Sequence, residues 1–284
     1  MQTYIASQPN IDVSLYQHRV LLMPPGTPCS SLGVEGMFYP DIFVLVNAGE
    51  PIPSSAFLHE FGHNLGLQHS SVLGGLPDSQ EDTSSIMGAA GPMRCYNAPH
   101  IWQLGWGQPS NVIGFDDVPA GSWMYERLVP LGSSPNGYII LQPGQYSSPN
   151  TFFLSYRIAT GCDTNLETQY LNKVSLHMYN GVTLQSPLAT DCTMFITMIP
   201  LSMAFAPSDP SLGANIVITF VYQDMFGVAT VGLCRFISSP SECALQRSSN
   251  TVLTTLPQSN CNGNGSCEPV FGENYMNCAD CFIK

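Results

Sequence analysis

Positions 59 to 69 of this chain read HEFGHNLGLQH, a stretch that holds three of its six histidines. On a helix, His59 and His63 are four residues apart and project from one face, so both imidazoles can reach a single Zn²⁺. Gly66 lets the helix end and the chain turn away with φ > 0, which returns His69 as a third ligand. Three nitrogen ligands leave one tetrahedral position open, and an open position separates a catalytic zinc from a structural one. Glu60 adjoins the first ligand without being one. Beside a zinc-held water of pKa about 7, its carboxylate would act as general base and then as general acid. Any single histidine is more often an ordinary core or surface residue. Here three histidines, Glu60 and Gly66 would all have to coincide.

Eighteen residues after His69 comes Met87, within Asp82-Thr83-Ser84-Ser85-Ile86-Met87-Gly88. The spacing HExxHxxGxxH followed by this turn resembles the metzincin zinc proteases, in which a Met-turn methionine forms an apolar floor beneath the metal and does not coordinate it. Further segments narrow the resemblance: Leu21-Leu22-Met23-Pro24-Pro25-Gly26, Cys95-Tyr96-Asn97-Ala98-Pro99-His100-Ile101-Trp102-Gln103-Leu104-Gly105-Trp106, Phe153-Leu154-Ser155-Tyr156-Arg157 and Val174-Ser175-Leu176-His177-Met178-Tyr179. Together they resemble the gametolysin family of cell-wall metalloproteases over most of residues 20–235.

That resemblance implies a secreted or wall-stored endopeptidase acting on extracellular glycoproteins rich in proline or hydroxyproline, with zinc held by His59, His63 and His69, Glu60 as the base and Met87 as the floor. Some members carry Gln in place of the first histidine; His59 here favours zinc. In some metzincins a tyrosine two residues past the Met-turn methionine stabilises the oxyanion, but Ala89 holds that place. Tyr96 and Tyr39 are the candidate replacements, while His18, His100 and His177 are weaker candidates for a fourth ligand or a donor. Two alternatives stay open. One is a non-catalytic wall- or matrix-binding protein that keeps the metal site for stability; the other, given Ser70 after the third histidine, is a secreted metzincin of another family.

The elements that must position these residues follow from periodicity. Val20 to Met23 and Ile42 to Val46 are short apolar runs that read as buried strands. Ser54 or Ser55 can cap the zinc helix, whose buried stripe would be Phe57, Phe61 and Leu65. Residues 73–85 read as a loop shaping substrate access, and residues 97–104 as a closing helix. After Gly105-Trp106-Gly107 come β-branched and aromatic runs at 137–141, 151–156, 173–179, 216–222 and 228–231, the pattern of an all-β, sandwich-like domain. It serves as a rigid scaffold for the protease or, less simply, as a glycan-binding module. Residues 238–260 are rich in Ser, Thr and Pro and read as a linker.

The expected fold class is therefore α+β: a metzincin-like catalytic domain over 1–110, a β-sandwich-like domain over 111–237, the linker, and a Cys-rich disulfide module over 261–284. Only 58 residues precede His59, and Met1 to Asn10 lack the basic start and apolar run of a signal peptide. The expectation is a chain truncated at its N-terminus.

Composition bounds the partners. A net charge of −12 with only eight Lys and Arg leaves no basic footprint for phosphate backbones, which disfavours nucleic acid and anionic membranes and leaves protein or glycoprotein substrates. No apolar run reaches the eighteen or so residues of a membrane span. Ten cysteines fit an oxidising, extracellular compartment. The pairings Cys29–Cys95, Cys162–Cys192 and Cys234–Cys243 are candidates, and four cysteines (Cys261, Cys267, Cys278 and Cys281) with the sequon Asn264-Gly265-Ser266 mark the tail.

Overall fold

A computed structural model describes residues 12, 15–16, 19–23, 43–47, 54–76, 79–89, 91–142, 144, 150–181, 192–207, 212–244 and 282–283. Strands β1 (Arg19–Met23) and β2 (Phe43–Asn47) pair in parallel, Val20 opposite Val44. Helix α1 (Ser54–Asn64) carries the histidine motif, and β3 (Ser70–Val72) follows it. Helix α2 (Ala98–Leu104) leads into strands: β4 (Asn111–Gly114), β5 (Met124–Leu128), β6 (Tyr138–Gln142), β7 (Phe152–Arg157), β8 (Lys173–Met178), β9 (Thr193–Pro200), β10 (Ala204–Phe205), β11 (Ile216–Gln223), β12 (Ala229–Arg235) and β13 (Phe282–Ile283).

The described fold is thus mostly β-sheet with two α-helices. Strands β3-β9-β8-β7-β6-β4 form a six-stranded sheet and β13-β10-β11-β12-β5 a five-stranded one. Ile139, Leu141, Phe152, Leu154, Tyr156, Val174 and Leu176 of the larger sheet share one core with Ile216, Ile218, Phe220, Val231 and Leu233 of the smaller. The other face of the larger sheet is covered as well. Tyr138, Ile140 and Phe153 pack there with Leu67, Ile86, Met87, Tyr96 and Ile101. All six residues of β7 are therefore buried, and FFLSYR shows no clean alternation because a strand covered on both faces needs none.

The segment before residue 110 and the strands after it are interlocked. Strand β3 extends the larger sheet by pairing in parallel with β9, Ser70 opposite Thr193, and Cys95 bonds to Cys162. That disulfide overturns both Cys29–Cys95 and Cys162–Cys192. Its physical reason is local to the turn after β7, where Asp163 accepts a hydrogen bond from the Cys95 amide at 3.0 Å and sets the two cysteines side by side. The pair Cys234–Cys243 forms as expected. It ties residues 240–243, a capped 3₁₀ turn within the compositional linker, back onto β12, and Trp123 Nε1 donates to the Cys243 carbonyl at 3.0 Å. The Cys-rich tail lies outside the described residues except for β13, which pairs in parallel with β10.

The expected stripe of the histidine helix needs correction too. Phe57, Phe61 and Leu65 are only partly covered, and the fully buried positions are Ser55, Glu60 and Gly62. Ser55 Oγ donates to the Gly91 carbonyl at 2.8 Å, so it tethers the helix start to the loop before α2. Helix α2 behaves as its sequence predicts: Asn97 caps it by accepting from the His100 amide, and Gly105 closes it at φ 67°.

Candidate metal centre

The site begins with how α1 ends. Gly66 has φ 92°, the Leu67 amide donates to Gly62 O and the Gly66 amide to His63 O, both at 2.9 Å. This is the paired hydrogen-bond pattern of a Schellman stop. Leu67 is fully buried beyond it, and the chain reverses so that His69 faces His59 and His63. One ligand nitrogen from each of the three rings lies within 4.8 Å of the other two.

The outer nitrogens are already engaged. His59 Nδ1 contacts the Ile86 carbonyl at 2.8 Å and His63 Nδ1 the Leu67 carbonyl at 2.9 Å. A carbonyl can only accept, so each Nδ1 carries the proton and each Nε2 offers a lone pair. His63 Nε2 and His69 Nε2 then stand 3.0 Å apart. Two lone pairs at that distance repel unless a proton or cation lies between them, and tetrahedral Zn–N bonds of about 2.0–2.1 Å would place two nitrogens roughly 3.3 Å apart. The residues fit a zinc ion. Burial also pushes the His59 imidazole down to about 4, against the Ile86 hydrogen bond, so it is neutral and available as a ligand at neutral pH.

Glu60 is buried on the same helix, and desolvation raises its carboxyl to about 7. A cation held by the adjacent imidazoles would favour the carboxylate and draw that value down.

Met87 is fully buried and lies against α1 at Gly62: a Cβ added there would overlap the Met87 sulfur and crowd the Tyr96 ring. Sequence reasoning passed over Gly62. An interior glycine costs a helix about 1 kcal/mol relative to alanine, and that cost is the signal that could have marked a close approach. Gly88 is equally constrained, because a Cβ there would strike the Asp82 carbonyl. Arg94 clasps the turn from outside: Nε donates to Ser85 O at 2.8 Å and another guanidinium N–H to Ala89 O.

Beneath the turn is a buried polar network. Asp82 accepts from Ser70 Oγ at 2.6 Å, Ser84 Oγ at 2.6 Å and His177 Nε2 at 3.1 Å. Burial by itself would raise its carboxyl, but the His177 interaction and the two hydroxyls outweigh this and hold it well below the usual carboxylate range. Asn97 Nδ2 bridges Ser70 Oγ and Thr193 Oγ1. Arg157 and Asp163, both without solvent exposure, pair through two contacts of 2.6 Å, and the same guanidinium donates to Ser84 O at 3.0 Å.

The remaining sequence candidates fall elsewhere. His177 is in the network and His100, on α2, is fully buried, so neither joins the three imidazoles. Tyr96 OH donates to the Leu58 carbonyl at 2.7 Å, so it braces α1 and is not a free oxyanion donor. His18 and Tyr39 lie outside the described residues.

A family model described as gametolysin peptidase M11 matches residues 11–194. Among curated proteins, the autolysin of Chlamydomonas reinhardtii is 26% identical over 207 residues, which covers 58% of this chain and 31% of that protein. The chain thus spans about a third of the length of the curated relative it matches. No solved structure matches.

Proposed function

The chain belongs to the gametolysin peptidase M11 family, and from that premise we propose that it is a zinc-dependent endopeptidase cleaving extracellular matrix or cell-wall glycoproteins rich in proline or hydroxyproline. The observation that carries the reading is the convergence of His59, His63 and His69, two of them oriented by backbone carbonyls, beside a buried Glu60. The relative named autolysin supports a lytic role. Disulfides Cys95–Cys162 and Cys234–Cys243 support an oxidising, extracellular location, and no helix among the described residues is long and apolar enough to cross a membrane.

Zinc, when bound, would supply a Lewis acid that polarises the scissile carbonyl and lowers the pKa of a water to about 7. The rest belongs to the chain. His59, His63 and His69 would hold the metal through Nε2, and the carbonyls of Ile86 and Leu67 keep the first two rings in the tautomer that allows it. The Glu60 carboxylate takes a proton from the attacking water and delivers it to the leaving amine nitrogen. Met87, buried against α1 at Gly62, is the apolar floor under the helix. Residues 1–110 carry this chemistry, and the strands of residues 111–237 act as its sandwich-like scaffold, with β3 built into the larger sheet.

The test is Glu60→Gln in the full, zinc-loaded chain, assayed on hydroxyproline-rich wall glycoprotein and on casein. The expected result is retained zinc and a fall in kcat of roughly three orders of magnitude or more. Unchanged cleavage would remove the hydrolytic assignment. Equal cleavage of both substrates by the wild type would remove the wall-specific part.

A further inference from the structure

Peptide hydrolysis puts negative charge on the scissile carbonyl oxygen, and the described site has no tyrosine free to meet it. Ala89 stands two residues past Met87, and the Tyr96 hydroxyl is spent on Leu58 O. A different donor is close by. The carboxamide Nε2 of Gln80, an exposed residue, lies 3.1 Å from His69 Nε2, the same nitrogen that sits 3.0 Å from His63 Nε2. Gln80 thus reaches the point where the ligand nitrogens converge, and it does so as an exposed residue.

The loop holds it there. Two residues on, Asp82 is fixed from four directions: its amide donates to Ser70 O at 3.1 Å, and its carboxylate takes Ser70, Ser84 and His177. On the other side the Ser79 amide donates to Leu76 O at 3.1 Å and Ser79 Oγ to Glu81 Oε2 at 2.6 Å. The Gln80 backbone is therefore tied down on both sides, with the side chain directed at His69. A carboxamide carries two N–H donors and does not titrate, so this donor would be present at every working pH.

We propose that Gln80 is a further catalytic residue, its side-chain N–H donating to the scissile carbonyl oxygen as that oxygen becomes anionic. The inference rests on the peptidase reading above. When His69 Nε2 is taken by a metal, it can no longer accept from Gln80, and the carboxamide is left beside the site with an unspent donor. In the reaction, water oxygen bonds to the carbonyl carbon, the π electron pair moves onto the carbonyl oxygen, and Gln80 donates to that oxygen. The C–N bond then breaks, the carbonyl re-forms, and the leaving nitrogen takes its proton from Glu60. Removal of one side-chain donor to the oxyanion costs other acyl-transfer sites roughly 100- to 1,000-fold in kcat.

The experiment compares zinc-loaded full chains: wild type, Glu60→Gln, Gln80→Ala and Gln80→Glu. Gln80→Ala is expected to lower kcat roughly 100-fold with KM within about threefold. Gln80→Glu keeps the reach but has no N–H, and should lose at least as much. Zinc affinity, read by competition with a metallochromic chelator, should be the same in Gln80→Ala and wild type. A phosphinic pseudopeptide, whose tetrahedral anionic oxygens imitate the transition state, should bind Gln80→Ala more weakly by about the factor lost in kcat/KM, while a product peptide binds both alike. Equal phosphinate affinity overturns the proposal, even for a chain that cleaves none of the peptides tried. A drop in zinc affinity that tracks the drop in rate also overturns it, because Gln80 would then be a ligand or a packing residue. Equal rates for wild type and Glu60→Gln would defeat the peptidase reading itself, and the Gln80 arm does not enter that result.

Discussion

The six-stranded sheet has two faces with opposite characters. Toward the five-stranded sheet it presents Ile139, Leu141, Phe152, Leu154, Tyr156, Val174 and Leu176, an apolar layer. Toward the metal segment the same strands present Ser155, Arg157, Ser175 and His177, all fully buried, beside Tyr138, Ile140 and Phe153. The first face is held by non-directional burial. The second adds to its own apolar cluster hydrogen bonds of fixed length and angle, so it sets position as well as stability. The turn that carries Met87 rests on the second face: Arg157 holds Ser84, and His177 holds Asp82, which holds Ser70 beside His69.

If that division is right, breaking the polar face should cost stability and metal affinity together. Arg157→Leu leaves the Asp163 carboxylate buried with the Cys95 amide as its remaining described donor, and a broken buried pair costs about 3–5 kcal/mol. Urea denaturation should show that loss, and chelator competition should show weaker zinc binding in the protein that remains folded. Unchanged zinc affinity would mean that the polar face only stabilises.

The apolar face gives the matching control. Leu154→Ala removes a fully buried side chain from the shared core and should cost about 2–5 kcal/mol. At temperatures where the variant is folded, its zinc affinity and kcat should equal those of the wild type. A loss of either would erase the distinction between the faces.

The smallest effect is a pH slope. Asp82 titrates below its unfolded value because, despite its burial, His177 and the hydroxyls of Ser70 and Ser84 favour the carboxylate. A depressed folded pKa contributes stability that is fully present above the unfolded value of about 3.8 and is lost as pH falls through the folded one. Between the two the unfolded chain binds the extra proton, so stability falls with acid by at most about 1.4 kcal/mol per pH unit for this group. Asp82→Asn should be less stable at neutral pH and show a shallower acid limb in urea midpoints below that pH. Parallel limbs would show that Asp82 does not carry the acid sensitivity.

Much of the three-histidine cluster was legible because its determinants are local. Four-residue spacing puts His59 and His63 on one helix face, and a glycine three residues later permits the positive φ seen at Gly66. Strands β1, β2, β6, β7, β8, β11 and β12 were likewise legible as apolar runs. The strand β9 was not, because TMFITMIP mixes half-covered positions without alternation. The stripe of α1 misled because the helix buries its small residue, Gly62, against Met87 and leaves its large ones partly covered.

The chemistry on offer is written locally: three imidazoles, one carboxylate and the turn that brings them round, all encoded within eleven consecutive residues whose geometry follows from helix pitch and glycine freedom. What holds them in place comes from contacts between distant segments. The Asp82–His177 contact spans 95 residues and the Cys95–Cys162 bond 67. Such pairings arise from which strand lies beside which, a consequence of burying two faces of one sheet at once, and no spacing within the chain carries that information.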